Sequence, residues 1–415
     1  MDAISKKDLE IIRSLANQQY EYSQADAMKS LKKEWLNHNT FKGSRPMVYI
    51  ELGTFEQEIV PPLLKCEGKQ ARDIETNLYR NFVNHTMFGD DFPVPDYYSI
   101  AYSAKMKLFD IDVEVVHTDG LGHQFVHQIN NLEADFDKFK KSTYTFNTDD
   151  ALKAADDMRE ILGGSLPVKI VGTALYAVPT QCIVHLMGME NMLYSMYDYP
   201  DMFTEMMNRI ADDYIEYFTL MSEKGLMLPT IGNEHLPQGT WCYTDELPDA
   251  AEREKRKFGM GDVWGFMDSQ ETVGISPDMF FEFIAPCYEK VAKQYGLLSY
   301  GCCEPVDPIW DDWLSKFENL RKVSISPWCN EEFMGERLKG KKVIYQRKPS
   351  PNYLGVDEVL DEQAVRAHMR RTMEAANGCK LEITQRDVYS VGNNPEKVRR
   401  YVEIIRDCAE KYYKY

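Results

Sequence analysis

A repeat of short apolar segments, each followed by a long amphipathic stretch, constrains the fold of this 415-residue chain more than any other feature. Eight segments have the length and apolar content of strands: residues 47–52, 97–103, 167–173, 226–232, 297–301, 323–327, 342–346 and 380–385. Helical periodicity marks several intervening stretches, for example residues 198–224. Because eight parallel strands close a (β/α)₈ barrel, the sequence predicts an α/β fold of this TIM-type class.

Two parts of the chain are expected, an N-terminal helical arm at residues 1–46 and the barrel at residues 47–415. The segments at residues 104–150 and 236–262 do not follow the strand–helix repeat. Both are long enough to be insertions or lids. We expect them at the C-terminal face of the strands, where barrels bind their ligands.

Charge and composition exclude several classes of protein. The chain has 48 Lys and Arg against 66 Asp and Glu, a net charge of -18, and no basic run that would bind a phosphate backbone. No stretch of about 18 apolar residues is present, and the N-terminus does not resemble a secretory signal. The nine cysteines form an odd, scattered set, which favours reduced thiols and a cytoplasmic protein.

The densest group of reactive side chains, Cys302, Cys303 and Glu304, follows the fifth predicted strand. Thiolates and a carboxylate can bind zinc. Side-chain alternation along a strand predicts that only one of the two cysteines faces the barrel axis. The alternative is that at least one of them is a small buried apolar residue.

Other polar residues follow neighbouring predicted strands. Glu234 and His235 come after the fourth predicted strand, where an imidazole could bind a metal and a carboxylate could act as a general base. The further candidates are Cys329 after the sixth predicted strand, Arg347 and Lys348 after the seventh, and Arg386 and Asp387 after the eighth. The three cations could pair with a carboxylate or phosphate of a ligand, and solvated ion pairs are the alternative.

Four segments resemble the uroporphyrinogen decarboxylase-like superfamily. Residues 265–290, GFMDSQETVGISPDMFFEFIAPCYEK, are similar to a characteristic superfamily motif, and residues 298–303, LSYGCC, lie where the methyltransferase branch has H-x-C-G. Residues 167–200 and 392–398 resemble an earlier passage and the last loop and helix of the superfamily. The resemblance covers roughly residues 160–410 and implies a (β/α)₈ barrel.

The resemblance implies one of two chemistries: tetrapyrrole decarboxylation, or zinc-dependent methyl transfer to a corrinoid carried on a separate protein. The decarboxylase's arginine-containing N-terminal motif is absent, because residues 47–57 read MVYIELGTFEQ. The methyltransferase motif is matched by Cys302, whereas Tyr300 stands at its histidine position and Cys303 at its glycine position. No cysteine follows the last predicted strand, and Asp387 is the nearest candidate ligand there.

The leading hypothesis is a methyltransferase that moves a methyl group from a small O-methyl or N-methyl compound to a partner protein's corrinoid, with zinc activating the leaving group. A homodimer is left open. The predicted roles are as follows: Glu234 and Asp387 catalytic; Tyr300, Arg347, Lys348 and Arg386 substrate-binding; His235, Cys302, Cys303 and Glu304 metal ligands. The alternatives are a metal-independent decarboxylase or lyase on the same barrel, and a barrel that binds a corrinoid or tetrapyrrole without turnover.

Overall fold

A computed structural model describes residues 4–117 and 122–415 of the chain. Its strands are β1 Met47–Ile50, β2 Tyr98–Ala101, β3 Ser103–Lys107, β4 Glu114–His117, β5 His123–Val126, β6 Thr143–Asn147, β7 Val168–Val171, β8 Leu175–Ala177, β9 His235–Leu236, β10 Thr240–Trp241, β11 Trp264–Met267, β12 Leu297–Tyr300, β13 Leu320–Ile325, β14 Ile344–Arg347 and β15 Lys380–Gln385. Its α-helices are α1 Lys6–Gln24, α2 Asp26–Asn39, α3 Glu56–Ile59, α4 Lys69–Arg80, α5 Leu132–Asp135, α6 Asp149–Leu162, α7 Pro179–Met187, α8 Met189–Asp198, α9 Pro200–Glu223, α10 Ala250–Lys255, α11 Pro277–Met279, α12 Ala285–Ala292, α13 Asp307–Trp310, α14 Glu331–Leu338, α15 Asn352–Gly355, α16 Glu362–Ala375 and α17 Pro395–Tyr412. In the described ranges, no helix has the length and apolarity needed to span a bilayer.

Seven strands form one parallel sheet in the order β1-β15-β14-β13-β12-β11-β8. A second parallel pair joins β2 to β7, and β7 precedes β8 by only three residues. Helices separate the consecutive strands β11 to β15, as in a βα repeat. This α/β architecture is consistent with a TIM-type barrel. Among the described strands, no pairing joins β1 to β2, so the ring is not closed there by backbone hydrogen bonds.

The predicted fourth strand at residues 226–232 is wrong. This segment is irregular, and the sheet position beside β12 is occupied by β11, which also pairs with β8. Pro229 lies within the segment and has no N–H to donate to a central ladder, whereas the residues of β11 are apolar and fully buried. Thr230 still contacts the sheet, because its Oγ1 accepts a hydrogen bond from the backbone of Trp264 at 2.9 Å.

The β9–β10 hairpin, residues 235–241, lies against the inner side chains of the sheet. Its Gly239 carbonyl accepts hydrogen bonds from Thr384 Oγ1 at 2.9 Å and from Gln346 Nε2 at 3.4 Å. Gly239 has φ +80°, and a Cβ there would lie 2.5 Å from Thr384 Cγ2. The start of the segment expected as a lid at residues 236–262 therefore packs beside β14 and β15, and its Gln238 reaches Cys302 after β12.

The other insertion, residues 104–150, contributes two antiparallel pairs, β3 with β6 and β4 with β5. The tip of the β4–β5 pair, residues 118–121, lies outside the described residues.

The N-terminal region, predicted to be a helical arm, contains the helices α1 and α2. The end of α2 is joined to the hairpin, because Asn39 Nδ2 donates to the carbonyls of Trp241 at 3.0 Å and Tyr243 at 2.8 Å. Beneath it, the buried Glu382 of β15 pairs with Lys322 of β13 at 2.8 Å and lies 3.5 Å from His38 Nε2. The division into arm and barrel stays a prediction, although α2 contributes side chains to the interior of the sheet.

Candidate active site

The loops that follow β11, β12, β14 and β15 bring four kinds of side chain to one edge of the sheet. Asp268 follows β11, the pair Cys302 and Cys303 follows β12, Lys348 follows β14 and Arg386 follows β15. Because the strands are parallel, all these positions lie at their carboxyl ends, the edge at which barrel-type folds carry their sites.

The two cysteine sulfurs lie 3.4 Å apart. The strand β12 ends at Tyr300, and Gly301 has φ +99°, so side-chain alternation no longer applies and both sulfurs come together. Cys302 Sγ lies 3.0 Å from Gln238 Oε1 as well, so its single thiol proton can be donated either to that oxygen or to Cys303 Sγ, and Arg386 Nη1 lies 3.9 Å from Cys302 Sγ.

The thiol pair favours one thiolate. The hydrogen bond from Cys302 lowers the pKa of Cys303 to about 7, and the positive charges of Lys348 and Arg386 act in the same direction. The same hydrogen bond, together with burial, raises the pKa of Cys302. A sulfur that is easily ionised and half-buried is a reactive one, so Cys303 is the better nucleophile of the two.

The two cations differ in their partners. The Lys348 ammonium is buried and donates to the carbonyl oxygens of Gly301 at 3.2 Å and Cys302 at 3.4 Å, and burial lowers its pKa. Arg386 donates from Nε to Glu51 at 3.1 Å, and its Nη2 lies 3.5 Å from the Asp387 carboxylate. The charge of Arg386 is therefore balanced by the chain itself.

Glu304 and Tyr300 hold the loops in place. The two Glu304 oxygens accept hydrogen bonds from the backbone N–H groups of Ser269 and Cys302, each at 2.9 Å. The Tyr300 hydroxyl is 2.6 Å from Ser269 Oγ, and its ring packs edge-on against Trp313 at 5.4 Å. The predicted metal-binding role of Glu304 and substrate-binding role of Tyr300 thus compete with contacts already made within the protein.

Asp268 is the site residue that the sequence analysis did not identify. It is 0% exposed, and neither carboxylate oxygen has a hydrogen-bond partner in the described protein. Burial, together with the negative charges of Glu304 and Glu271, raises the pKa of Asp268 to about 8. A carboxylate directly after an apolar strand was the available signal, and it was missed because β11 was not predicted.

Glu234 and His235 line a different cleft. Its volume is about 280 Å³, and Tyr97, Gly172 and Trp241 also contribute to its walls. Burial raises the pKa of Glu234, whose Oε2 accepts a hydrogen bond from the backbone of Gly232 at 2.7 Å. The structure does not bring either residue into this cluster of thiols and cations by a direct contact among the described residues.

Arg347 points away from its neighbour Lys348, as successive strand residues do. Its Nη2 is 2.8 Å from Glu331 of α14, and its Nη1 donates to the carbonyl of Ile325 at 3.0 Å. Cys329 also lies near the site, and its sulfur accepts a hydrogen bond from the backbone of Val306.

The expected zinc site does not fit the residues that are present. Cys302 and Cys303 supply two thiols, Glu304 is engaged by backbone N–H groups, and His235 lines the other cleft. No group of three His, Cys, Asp or Glu side chains with metal-binding geometry occurs in residues 4–117 and 122–415. Lys348 and Arg386 instead place positive charge beside the sulfurs, which opposes a divalent cation.

Comparison with known proteins gives a similarity of fold. No protein-family model and no curated protein matches the chain. Among solved structures, a methyltransferase from Methanosarcina mazei superposes with a TM-score of 0.50 and 14% sequence identity, over 92% of this chain and 98% of that one. The chain therefore shares the α/β architecture of that methyltransferase over nearly its whole length.

Proposed function

We propose that the chain is a methyltransferase that takes a methyl group from a small O-methyl or N-methyl compound and passes it to the corrinoid of a separate protein. The observation that carries the proposal is the meeting of Asp268, the Cys302–Cys303 pair and Lys348 at the carboxyl ends of parallel strands. The shared fold with a methyltransferase and the resemblance of residues 265–290 support it.

Residues of the chain itself can assist the departure of the leaving group. The bond from the methyl carbon to oxygen or nitrogen breaks, and its electron pair stays on the leaving atom. Asp268, protonated at neutral pH because burial raises its pKa to about 8, can give a proton to a leaving oxygen. A leaving nitrogen that is already cationic needs no proton from Asp268, because it departs as a neutral amine once the electron pair of the C–N bond stays on it. The corrinoid supplies the electron pair that bonds to the methyl carbon.

Zinc has no step in this proposal, because the donor set around Cys302 does not fit it. The thiols and Lys348 serve instead as the wall of the substrate site. Elemental analysis of the purified protein tests this directly: a stoichiometric metal that is lost in Cys302→Ser would restore the zinc mechanism.

Methyl transfer itself is tested with free cob(I)alamin and a panel of methyl ethers and methylamines, by following the absorbance of methylcobalamin. For an ether donor, Asp268→Asn is expected to lower the rate by about 100-fold or more, as for the loss of a general acid. Asp278→Asn, which changes an exposed carboxylate on α11, is the matched control and leaves the rate unchanged. Absence of methyl transfer from every donor contradicts the proposal.

A decarboxylase or lyase is the second candidate, and it is favoured by the buried Lys348 ammonium, which has no carboxylate within 4.0 Å among the described ion pairs. Such a cation could grip a substrate carboxylate while Asp387 or Asp268 moves a proton. Release of carbon dioxide from a carboxylated substrate by metal-stripped protein would establish this activity.

A further inference from the structure

Two buried ionisable side chains at the candidate active site, Asp268 and Lys348, have no ion-pair partner among the described residues. Neither oxygen of Asp268 accepts a hydrogen bond from the described protein. The Lys348 ammonium contacts two backbone carbonyls, those of Gly301 and Cys302, and no carboxylate appears among its described contacts. Burying an unpaired charge is costly, so both groups are suited to a counter-charge that the chain does not provide. A cation bound beside Asp268 would lower the raised pKa of this carboxyl and so favour its ionised form.

Asp268 and Lys348 do not neutralise each other. Their charges interact at a distance, but no hydrogen bond or ion pair within 4.0 Å joins them. In the sheet, β12 and β13 lie between the strands that carry them, which is three steps of about 4.8 Å each.

The neighbouring charges are satisfied within the chain. Glu271 accepts a hydrogen bond from Thr180 Oγ1 at 2.8 Å, and both oxygens of Glu304 accept backbone N–H groups. Arg386 is paired with Glu51 and Asp387. Asp268 after β11 is thus the negative pole of the site, with no ion-pair partner, and Lys348 after β14 is its positive pole, with the titratable thiol of Cys303 as its neighbour but no carboxylate in contact.

An aromatic surface accompanies the negative pole. Tyr176 of β8 is 41% exposed, and its ring stacks on Phe266 of β11 at 5.5 Å. Burial, and next the charge of Asp268, raises the pKa of the Tyr176 hydroxyl, which places this ring in the electrostatic surroundings of the carboxylate. An aromatic face beside a carboxylate is a favourable environment for a methylated ammonium group.

We infer that Asp268 and Lys348 bind the two ends of a zwitterionic N-methylated amino acid, with the methylated ammonium at Asp268 and Tyr176 and the carboxylate at Lys348. This inference rests on the proposed function and narrows its substrate class from O-methyl or N-methyl compounds to zwitterions. The methyl groups would then lie at the Asp268 pole, which also senses the charge of Cys303.

Isothermal titration of the purified full chain, without any corrinoid, tests the two poles separately. Glycine betaine is the zwitterionic probe, 3,3-dimethylbutyrate is its carbon isostere without the positive charge, and choline lacks the carboxylate. Because each analogue loses one of the two charge contacts, we expect both to bind about 10-fold or more weakly than glycine betaine, which corresponds to about 1.4 kcal/mol or more. Equal binding of either analogue overturns the inference.

Single substitutions test whether Asp268 binds the ammonium end of the ligand and Lys348 its carboxylate end. Asp268→Asn is expected to weaken glycine betaine about 10-fold or more while leaving 3,3-dimethylbutyrate unchanged, and Lys348→Met to weaken glycine betaine while leaving choline unchanged. Asp278→Asn is the control and keeps the wild-type affinity. An Asp268→Asn protein that binds glycine betaine as the wild type does contradicts the assignment. If Lys348→Met does not fold, the ligand panel on the wild-type protein still decides.

Failure of this inference is distinguishable from failure of the proposed function. Methyl transfer from a neutral methyl ether to cob(I)alamin, with no binding of glycine betaine, overturns the zwitterion site alone. Selective binding of glycine betaine that requires Asp268, with no methyl transfer from any donor, supports the zwitterion site and overturns the proposed function.

Discussion

The residues that matter most at the candidate site are buried ionisable side chains without an ion-pair partner in the protein. Glu304 and Arg386 are charged and lie beside the thiols, yet each is fully engaged, by backbone N–H groups or by carboxylates. Asp268 and Lys348 are both buried, and neither is in contact with a side chain of opposite formal charge among the described residues. Burying an ionisable side chain without an ion-pair partner lowers the stability of the fold. Such residues are therefore typical of binding and catalytic sites.

The unequal ionisation of the cysteine pair gives a prediction at this scale. Alkylation of Cys303 by iodoacetamide is expected to rise with pH around a midpoint near 7, because the hydrogen bond from Cys302 lowers the pKa of Cys303 to about 7. Cys302, whose pKa is raised by the same contact, should be modified much more slowly. Mass spectrometry of the peptide after alkylation at a series of pH values measures both rates.

Lys348→Met provides the control for that experiment. The Lys348 charge contributes to lowering the pKa of Cys303, so its removal should move the alkylation midpoint to higher pH. Equal modification of Cys302 and Cys303 at every pH would contradict the interpretation of the pair as one thiol and one thiolate.

At the scale of elements, the β9–β10 hairpin is expected to contribute to stability, because it packs against the inner side chains of the sheet. Gly239→Ala places a methyl group 2.5 Å from Thr384 Cγ2 at a residue with φ +80°. We expect a loss of about 1–3 kcal/mol in the free energy of unfolding from backbone strain, and more from the clash. Urea denaturation measures it.

Gly89→Ala is the matched control, because Gly89 also has positive φ, +67°, but nothing lies within 4 Å of its added Cβ. It should lose the strain energy alone, about 1 kcal/mol. A Gly239→Ala protein no less stable than Gly89→Ala would show that the hairpin does not pack tightly inside the sheet.

Local sequence patterns predicted many elements and failed where long-range contacts decide. Seven of the eight predicted strand segments overlap observed strands, because continuous apolar runs mark buried parallel strands. Residues 226–232 are apolar as well, but Pro229 and the competing segment of β11 exclude them from the ladder. That the following hairpin enters the interior depends on contacts with Gln346 and Thr384, more than 100 residues away, which no local pattern encodes.

The candidate site was predicted only in part, because each site residue was located by the strand that precedes it. Cys302, Cys303, Lys348 and Arg386 were identified because they follow strands that were correctly located. Asp268 was missed together with its strand, and Glu234 and His235 were assigned to the same mouth through a strand that does not exist. An error of one strand thus left one candidate residue unidentified, and it placed Glu234 and His235, whose roles stay predictions, in the same mouth as the thiols.

At the scale of the whole molecule, a buried ionic cluster joins the N-terminal arm to the sheet. Lys322→Met would leave Glu382 buried without its ammonium partner, beside His38 of α2. Such a loss costs about 3–5 kcal/mol of unfolding free energy, and the double variant Lys322→Met/Glu382→Leu should recover much of it. Lys290→Met, which removes the exposed pair with Asp212, is the control and should cost less than about 1 kcal/mol.

The same cluster predicts how stability depends on pH. Although burial opposes ionisation, Lys322 and His38 lower the pKa of Glu382 to about 2, below its ordinary value of 4.5. A carboxyl whose pKa is lowered by folding stabilises the protein above its ordinary pKa, and this contribution is lost as the pH falls toward the folded value. The stability difference between wild type and Lys322→Met/Glu382→Leu, which has no carboxyl to titrate at this position, should therefore be constant above about pH 5 and change between about pH 4.5 and pH 2, as the contribution of Glu382 in the wild type is lost. Urea denaturation across that range measures it, and a difference that stays constant down to about pH 2 would show that the ammonium of Lys322 does not hold Glu382 ionised.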